Sequence, residues 1–237
     1  MFLKKRNAFF TDSYKSFIRS ALKTKKRFDL NESDFYPCVD DNQKETYFDT
    51  HYIYHPAWAV RILQQTKPTE HVDISSTLHF CSILSAFLPV RFYDYRPANV
   101  MLSQLSTGFA DLQNLDFPVG SIPSLSCMHT VEHVGLGRYG EPIDYDGNIK
   151  AMLQLKKVLS NKGNFLFVVP IGEIPKIIFN AHRIYTFNQI LEYFDGLILK
   201  EFSFIPDNAI SVGMIKNATQ EQIRGNKYGC GCFWFSK

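Results

Sequence analysis

The chain has 237 residues, 45% hydrophobic and 15% aromatic, which suits one large domain or a domain with an extension. No apolar run is long enough to span a bilayer, and "MFLKKRNAFF" lacks the uninterrupted apolar core of a secretory signal, so the expectation is a soluble, cytoplasmic protein. The +3 net charge is uneven: residues 1–27 hold nine basic side chains against Asp12 alone, and the rest carries 17 basic against 22 acidic residues, a balance that argues against nucleic acid as a partner.

Within residues 1–27, Phe10, Tyr14, Phe17, Ile18 and Ala21 fall on one helical face. A helix with a solvated basic side explains the pattern, and peripheral contact with an anionic membrane surface is the functional alternative. Residues 29–50 are polar and turn-rich, so residues 1–50 read as an arm and an irregular segment ahead of a domain over 51–237. The five cysteines include no C-x-x-C pair and read as reduced, mostly buried thiols, with Cys230 and Cys232 on the same face of a strand.

From residue 55 the pattern alternates. A helix is predicted over 55–65, with Pro56 near its start, then a strand over 71–75 and an apolar helix over 78–88. A strand follows over 90–95, a helix over 99–105, and strands over 108–112 and 123–129. "DGNIKAMLQLKKVLSNKG" (146–163) is an amphipathic helix with Ile149, Met152, Leu153, Leu155, Val158 and Leu159 as its stripe. "NFLFVVP" (164–170) is a continuous apolar strand of the kind found inside a parallel sheet. A helix over 186–194, capped by Thr186, precedes two strands over 197–205 and 228–237, with no helix between them, which pair antiparallel. The fold class is α/β: a doubly wound, mostly parallel seven-stranded sheet ending in an antiparallel hairpin. Ligands in such sheets bind beyond the carboxyl ends of the strands.

"HTVEHVGLGRYGEP" (129–142) leaves one of those ends and carries three signatures. G-x-G-x-x-G at Gly135, Gly137 and Gly140 spells a dinucleotide fingerprint, but it follows the fourth strand rather than the first and opens no helix. H-x-x-E-H at His129, Glu132 and His133 spells a zinc motif, but that motif needs a helix and these residues close a strand, so no metal is expected. The third signature is "EHV", followed by "AMLQLKKVLSNKGNFLFVVP". This block resembles class I S-adenosylmethionine-dependent methyltransferases over about residues 55–237. More specifically, "HYIYHPAWA", "VDISS", "YDYRP", "HTVEHVGLGRYG" and "FNAHRIY" resemble an uncharacterised methyltransferase-like family of bacterial and nematode proteins, a domain of unknown function.

The resemblance implies S-adenosylmethionine as cofactor. Asp73 matches the acidic residue opening the first motif, with Ser75 and Ser76 in the turn that follows. That turn is normally glycine-rich, and Ser75, Thr77 and His79 are departures, His79 the largest. Asp94 matches the carboxylate that accepts from both ribose hydroxyls, Asp111 and the Leu112 amide match the adenine contacts, and His129 falls on the cofactor side. Taken singly, each Asp also reads as a turn residue. His133, Glu132 and His182 are the candidate bases, and Arg183 and Arg138 the groups to position a small polar or glycan acceptor. Two alternatives stand beside methyl transfer: the same fold without this cofactor, using the His/Glu site for other glycan or hydrolytic chemistry, and a non-catalytic binding protein.

Overall fold

The computed structural model describes residues 2–25 and 27–237, with side chains from Ala8 onward. Lys4, Lys5, Arg6 and Lys26, on which the expected membrane contact partly rests, therefore lie outside the described side chains. Two compact units form, Met1–Phe48 and Asp49–Lys237. In the first, helix α1 (Phe2–Ala21) sets Phe10 and Tyr14 edge-on against Phe35, at 5.3 and 4.6 Å between ring centroids. Phe17 leaves the predicted stripe and is 60% exposed.

The second unit begins at α2 (Thr50–Thr66), whose N-cap Asp49 accepts a hydrogen bond from the Tyr52 amide. The cap adds a full turn to the predicted helix, so Pro56 lies inside it and removes one rung of its hydrogen bonding. Then come β1 (His71–Ile74), α3 (Leu78–Leu84), β2 (Val90–Asp94), β3 (Leu105–Phe109), β4 (Ile122–Met128), α4 (Gly147–Val158) and β5 (Leu159–Ile171). A small hairpin of β6 (Lys176–Ile178) and β7 (His182–Ile184) precedes α5 (Phe187–Tyr193), β8 (Ile198–Ile205), the short α6 (Ala209–Val212) and β9 (Gly229–Ser236). The sheet runs β3-β2-β1-β4-β5-β9-β8, parallel through β5, with β9 inserted antiparallel between β5 and β8. This is the predicted seven-stranded architecture. Among the described residues no helix is long and apolar enough to cross a membrane.

Alternation along β5 shows how the sheet is buried. Phe165, Phe167, Val169 and Ile171 face one core with α4 and α5, while Leu166 and Val168 face the other with α2 and α3. In β9, Phe233 and Phe235 take the first side, Cys230 and Cys232 the second. Helices on both faces explain why β5 reads as uninterrupted apolar sequence.

Two predicted elements differ most, and two further elements appear. Residues 99–105 form no helix; Met101 and Leu102 are exposed while Val100 and Leu105 reach the core, and the segment runs directly into β3, which pairs with β2 over Leu105–Phe109. The helix predicted to 163 ends at Val158, because Leu159 pairs with Ile122 and starts β5; Leu153 faces solvent and Ala151 takes its place in the core. The β6–β7 hairpin was not anticipated, and α6 interrupts the connection between the last two strands.

Candidate functional site

The turn after β1 comes first. Ser75 sits at φ +61, the left-handed backbone that glycine usually supplies, and its amide donates to the Tyr93 carbonyl of β2 at 2.7 Å. Thr77 caps α3 by accepting from the Phe80 amide. His79 is the second residue of α3 and points to solvent, so the largest departure from a glycine-rich turn enters neither cavity.

Asp73 is fully buried and touches no ligand space, which corrects its expected place among the cofactor contacts. Its carboxylate accepts from the Ser76 amide at 2.9 Å and from the Ser126 hydroxyl, and burial pushes its pKa up to about 6. Because Ser126 donates to Asp73, its oxygen accepts from His71 Nε2–H at 2.8 Å, and His71 Nδ1 accepts from the Ser124 hydroxyl at 2.8 Å. This buried chain fixes the turn rather than the ligand. Ser76 Oγ in turn accepts from the Met128 amide, tying β1 to β4.

Asp94 and Asp111 stand at neighbouring strand ends and line one cavity of about 150 Å³ with Ser75, Leu112 and His133. Each has one oxygen in its own turn, Asp94 accepting from the Arg96 amide and Asp111 from the Gln113 amide, and a carboxylate retains further acceptor capacity. A second, more polar cavity of about 450 Å³ shares Ser75, His129, His133 and Tyr139 with the first, and adds Ser76, Glu132, Arg138, His182, Tyr52 and Tyr228. The two adjoin through these shared residues at the carboxyl ends of β1–β4, and together fall within the usual size of a small-molecule site.

Glu132, 1% exposed, is the hub of the cluster. Its Oε1 accepts from His129 Nδ1 at 2.8 Å and lies 3.9 Å from His133 Nε2. His133 Nδ1 is 2.6 Å from the Ala181 carbonyl, which only accepts, so Nδ1 carries the proton and Nε2 is left basic. The H-x-x-E-H pattern thus sets two imidazoles around one carboxylate rather than two ligands around an ion. His129 sits at φ +57 and lines both cavities, and its Nε2 is buried without a partner among the described residues. His182 lines the larger cavity, and burial lowers its pKa. Burial, aided by Glu132, raises the Tyr228 phenol to about 12.

Arg183 does not face the acceptor space. It is 5% exposed, and its guanidinium donates to the carbonyls of Val134 at 2.7 Å and Tyr145 at 3.1 Å, stapling both arms of the 134–147 loop. Arg138 does line the larger cavity and donates to the Ala181 carbonyl at 3.0 Å. Glycines 135, 137 and 140 all have positive φ and shape this loop. Arg96 stacks on Tyr139 at 4.5 Å, holding the loop over the smaller cavity. Sequence reasoning missed Tyr52, Tyr139, Tyr228 and the buried His51 and His55 of α2; the spacing of the two histidines four apart in "HYIYH" was the available signal.

No curated protein matches the chain in sequence. Solved structures match its fold. A putative methyltransferase from Bacillus halodurans aligns at TM-score 0.53 and 13% identity, over 77% of this chain and 98% of that one. A putative sarcosine dimethylglycine methyltransferase from Galdieria sulphuraria gives 0.54 and 13%, over 77% and 84%. The 1,6-didemethyltoxoflavin-N1-methyltransferase of Burkholderia thailandensis, with 1,6-didemethyltoxoflavin and S-adenosylhomocysteine bound, gives 0.53 and 11%, over 78% of each chain. These likenesses establish a class I methyltransferase fold. The family model described as "Caenorhabditis protein of unknown function, DUF268" matches residues 98–228, more than half of the chain and including the whole 129–142 loop, and the chain belongs to that family.

Proposed function

We propose that the chain is an S-adenosylmethionine-dependent methyltransferase acting on a hydroxyl of a small polar acceptor, a sugar being the favoured class. The observation that carries this reading is the joining of an Asp94/Asp111 cavity to a polar His/Glu cavity at Ser75 and His133. Asp94 would accept from a vicinal diol, Asp111 and the Leu112 amide would meet a base edge, and Ser75 provides the left-handed turn. The residues therefore fit the cofactor, which when bound supplies an electrophilic methyl group on its sulfonium. His133 Nε2 takes the acceptor proton, and the resulting imidazolium lies beside Glu132. Arg138 and Tyr228 orient the acceptor, and Tyr139 excludes water.

Calorimetry with S-adenosylhomocysteine tests the reading. Wild type binds, and Asp94→Ala binds about tenfold or more weakly, the loss of a charge-assisted hydrogen bond. Absence of heat in wild type sinks the proposal. The second reading, this fold without the methyl donor, is favoured by the serine and threonine that replace glycine at positions 75–77. Native mass spectrometry showing an unrelated co-purifying ligand in the cleft would support it over methyl transfer.

A further inference from the structure

We propose that His51, His129 and Cys230 form a zinc site. His51 comes from the first turn of α2, His129 from the end of β4 and Cys230 from β9, all in the second unit. One nitrogen of each histidine and the Cys230 sulfur lie within 4.8 Å of one another. Separations of 78 and 101 positions in the sequence hide this cluster from any motif reading.

The ligand is indicated by an orphaned atom. His129 Nδ1 is committed to Glu132 at 2.8 Å, which fixes the tautomer and leaves the Nε2 lone pair exposed to whatever lies beyond. That atom is buried and has no partner among the described residues. Native structures rarely leave such a group unmet without an ion or water to meet it. A carboxylate holding one ring nitrogen while the other binds the ion is also the usual support of a metal-ligating histidine.

Two imidazoles and a thiol select zinc over calcium or magnesium, which take oxygen donors. Three protein donors leave one position of a tetrahedral ion for water or an oxygen-bearing ligand. Bonds of about 2.0–2.3 Å place donors roughly 3.3–3.7 Å apart, so the present triangle must contract. His51 would make that adjustment: its ring stacks on His129 at 5.3 Å and 16° and on Tyr228 at 5.2 Å and 30°, and a turn about its side-chain bonds would bring its nitrogen out of the stack. The site differs from the one H-x-x-E-H spells, since His133 is committed to the Ala181 carbonyl.

The full chain is incubated with zinc chloride, desalted, and measured by native mass spectrometry and elemental analysis. Wild type and the exposed-thiol control Cys38→Ser retain about one zinc per chain, and Cys230→Ser and His51→Gln retain about tenfold less. Circular dichroism confirms that the variants are folded. Cobalt substitution adds a readout independent of stability: a thiolate-to-cobalt charge-transfer band in wild type, lost in Cys230→Ser. No zinc in wild type, equal retention by Cys230→Ser, or loss in Cys38→Ser overturns the proposal, and stable copper or iron in place of zinc overturns the choice of ion. Binding of S-adenosylhomocysteine is read separately, so the two proposals fail independently.

Discussion

At the level of single residues, His133 is the base best placed to act, because its proton-bearing nitrogen is pinned to Ala181 and its basic nitrogen lies 3.9 Å from Glu132. Replacing it with alanine is expected to lower kcat by about 10²–10⁴-fold, the usual contribution of a general base, while S-adenosylhomocysteine affinity stays within a few fold. Steady-state kinetics beside calorimetry checks this, and equal losses in both would reassign His133 to binding. Asp73 gives a different test. Its folded pKa is raised to about 6 from 3.8, so the folded state holds the proton more tightly than the unfolded chain. The stability this contributes is full below pH 3.8 and is lost as pH rises through about 6. Relative to Asp73→Asn, wild type is expected to lose about 2 kcal/mol between pH 4 and 7, measured by urea unfolding. A flat difference across that range would mean the carboxylate is ionised throughout.

Among the elements, the 134–146 loop is held by backbone geometry and carbonyl contacts rather than by regular secondary structure. At Gly135 (φ +81) an added Cβ would sit 2.1 Å from the Asp144 carbonyl oxygen, against which the loop closes. Gly135→Ala is expected to destabilise the fold by about 2–4 kcal/mol and to raise amide exchange across 134–147, with the sheet still protected. Exchange mass spectrometry resolves the two regions. The strands β1, β2, β4 and β5 were legible because their apolar runs are short and bounded by turns. The 99–105 segment misled because a few apolar residues at helical spacing mimic a helix, whereas the structure packs Val100 and Leu105 against the core and leaves Met101 and Leu102 exposed.

At the scale of the whole molecule, every buried core side chain among the described residues belongs to Asp49–Lys237. Residues 49–237 alone are therefore expected to unfold in a single cooperative transition within a few degrees of the full chain, monitored by circular dichroism. Phe167 is fully buried and meets Phe165 and Phe194 at 5.5 and 4.8 Å. Phe167→Ala should cost about 3–5 kcal/mol, visible as a lower urea midpoint with an unchanged slope.

The sequence by itself determined the βα order, the antiparallel ending and the acidic residues at successive strand ends, since periodicity and turn chemistry are local properties. It also placed Glu132 and His133 at the end of the fourth strand. What only the tertiary structure decided is which atoms are free. Arg183 became a loop staple, Asp73 a buried support and His129 a histidine with one unmet nitrogen, because each outcome depends on neighbours that arrive from distant segments. His51 and Cys230 join that cluster for the same reason: pairing of β9 against β5, and packing of α2 on the sheet, set their position.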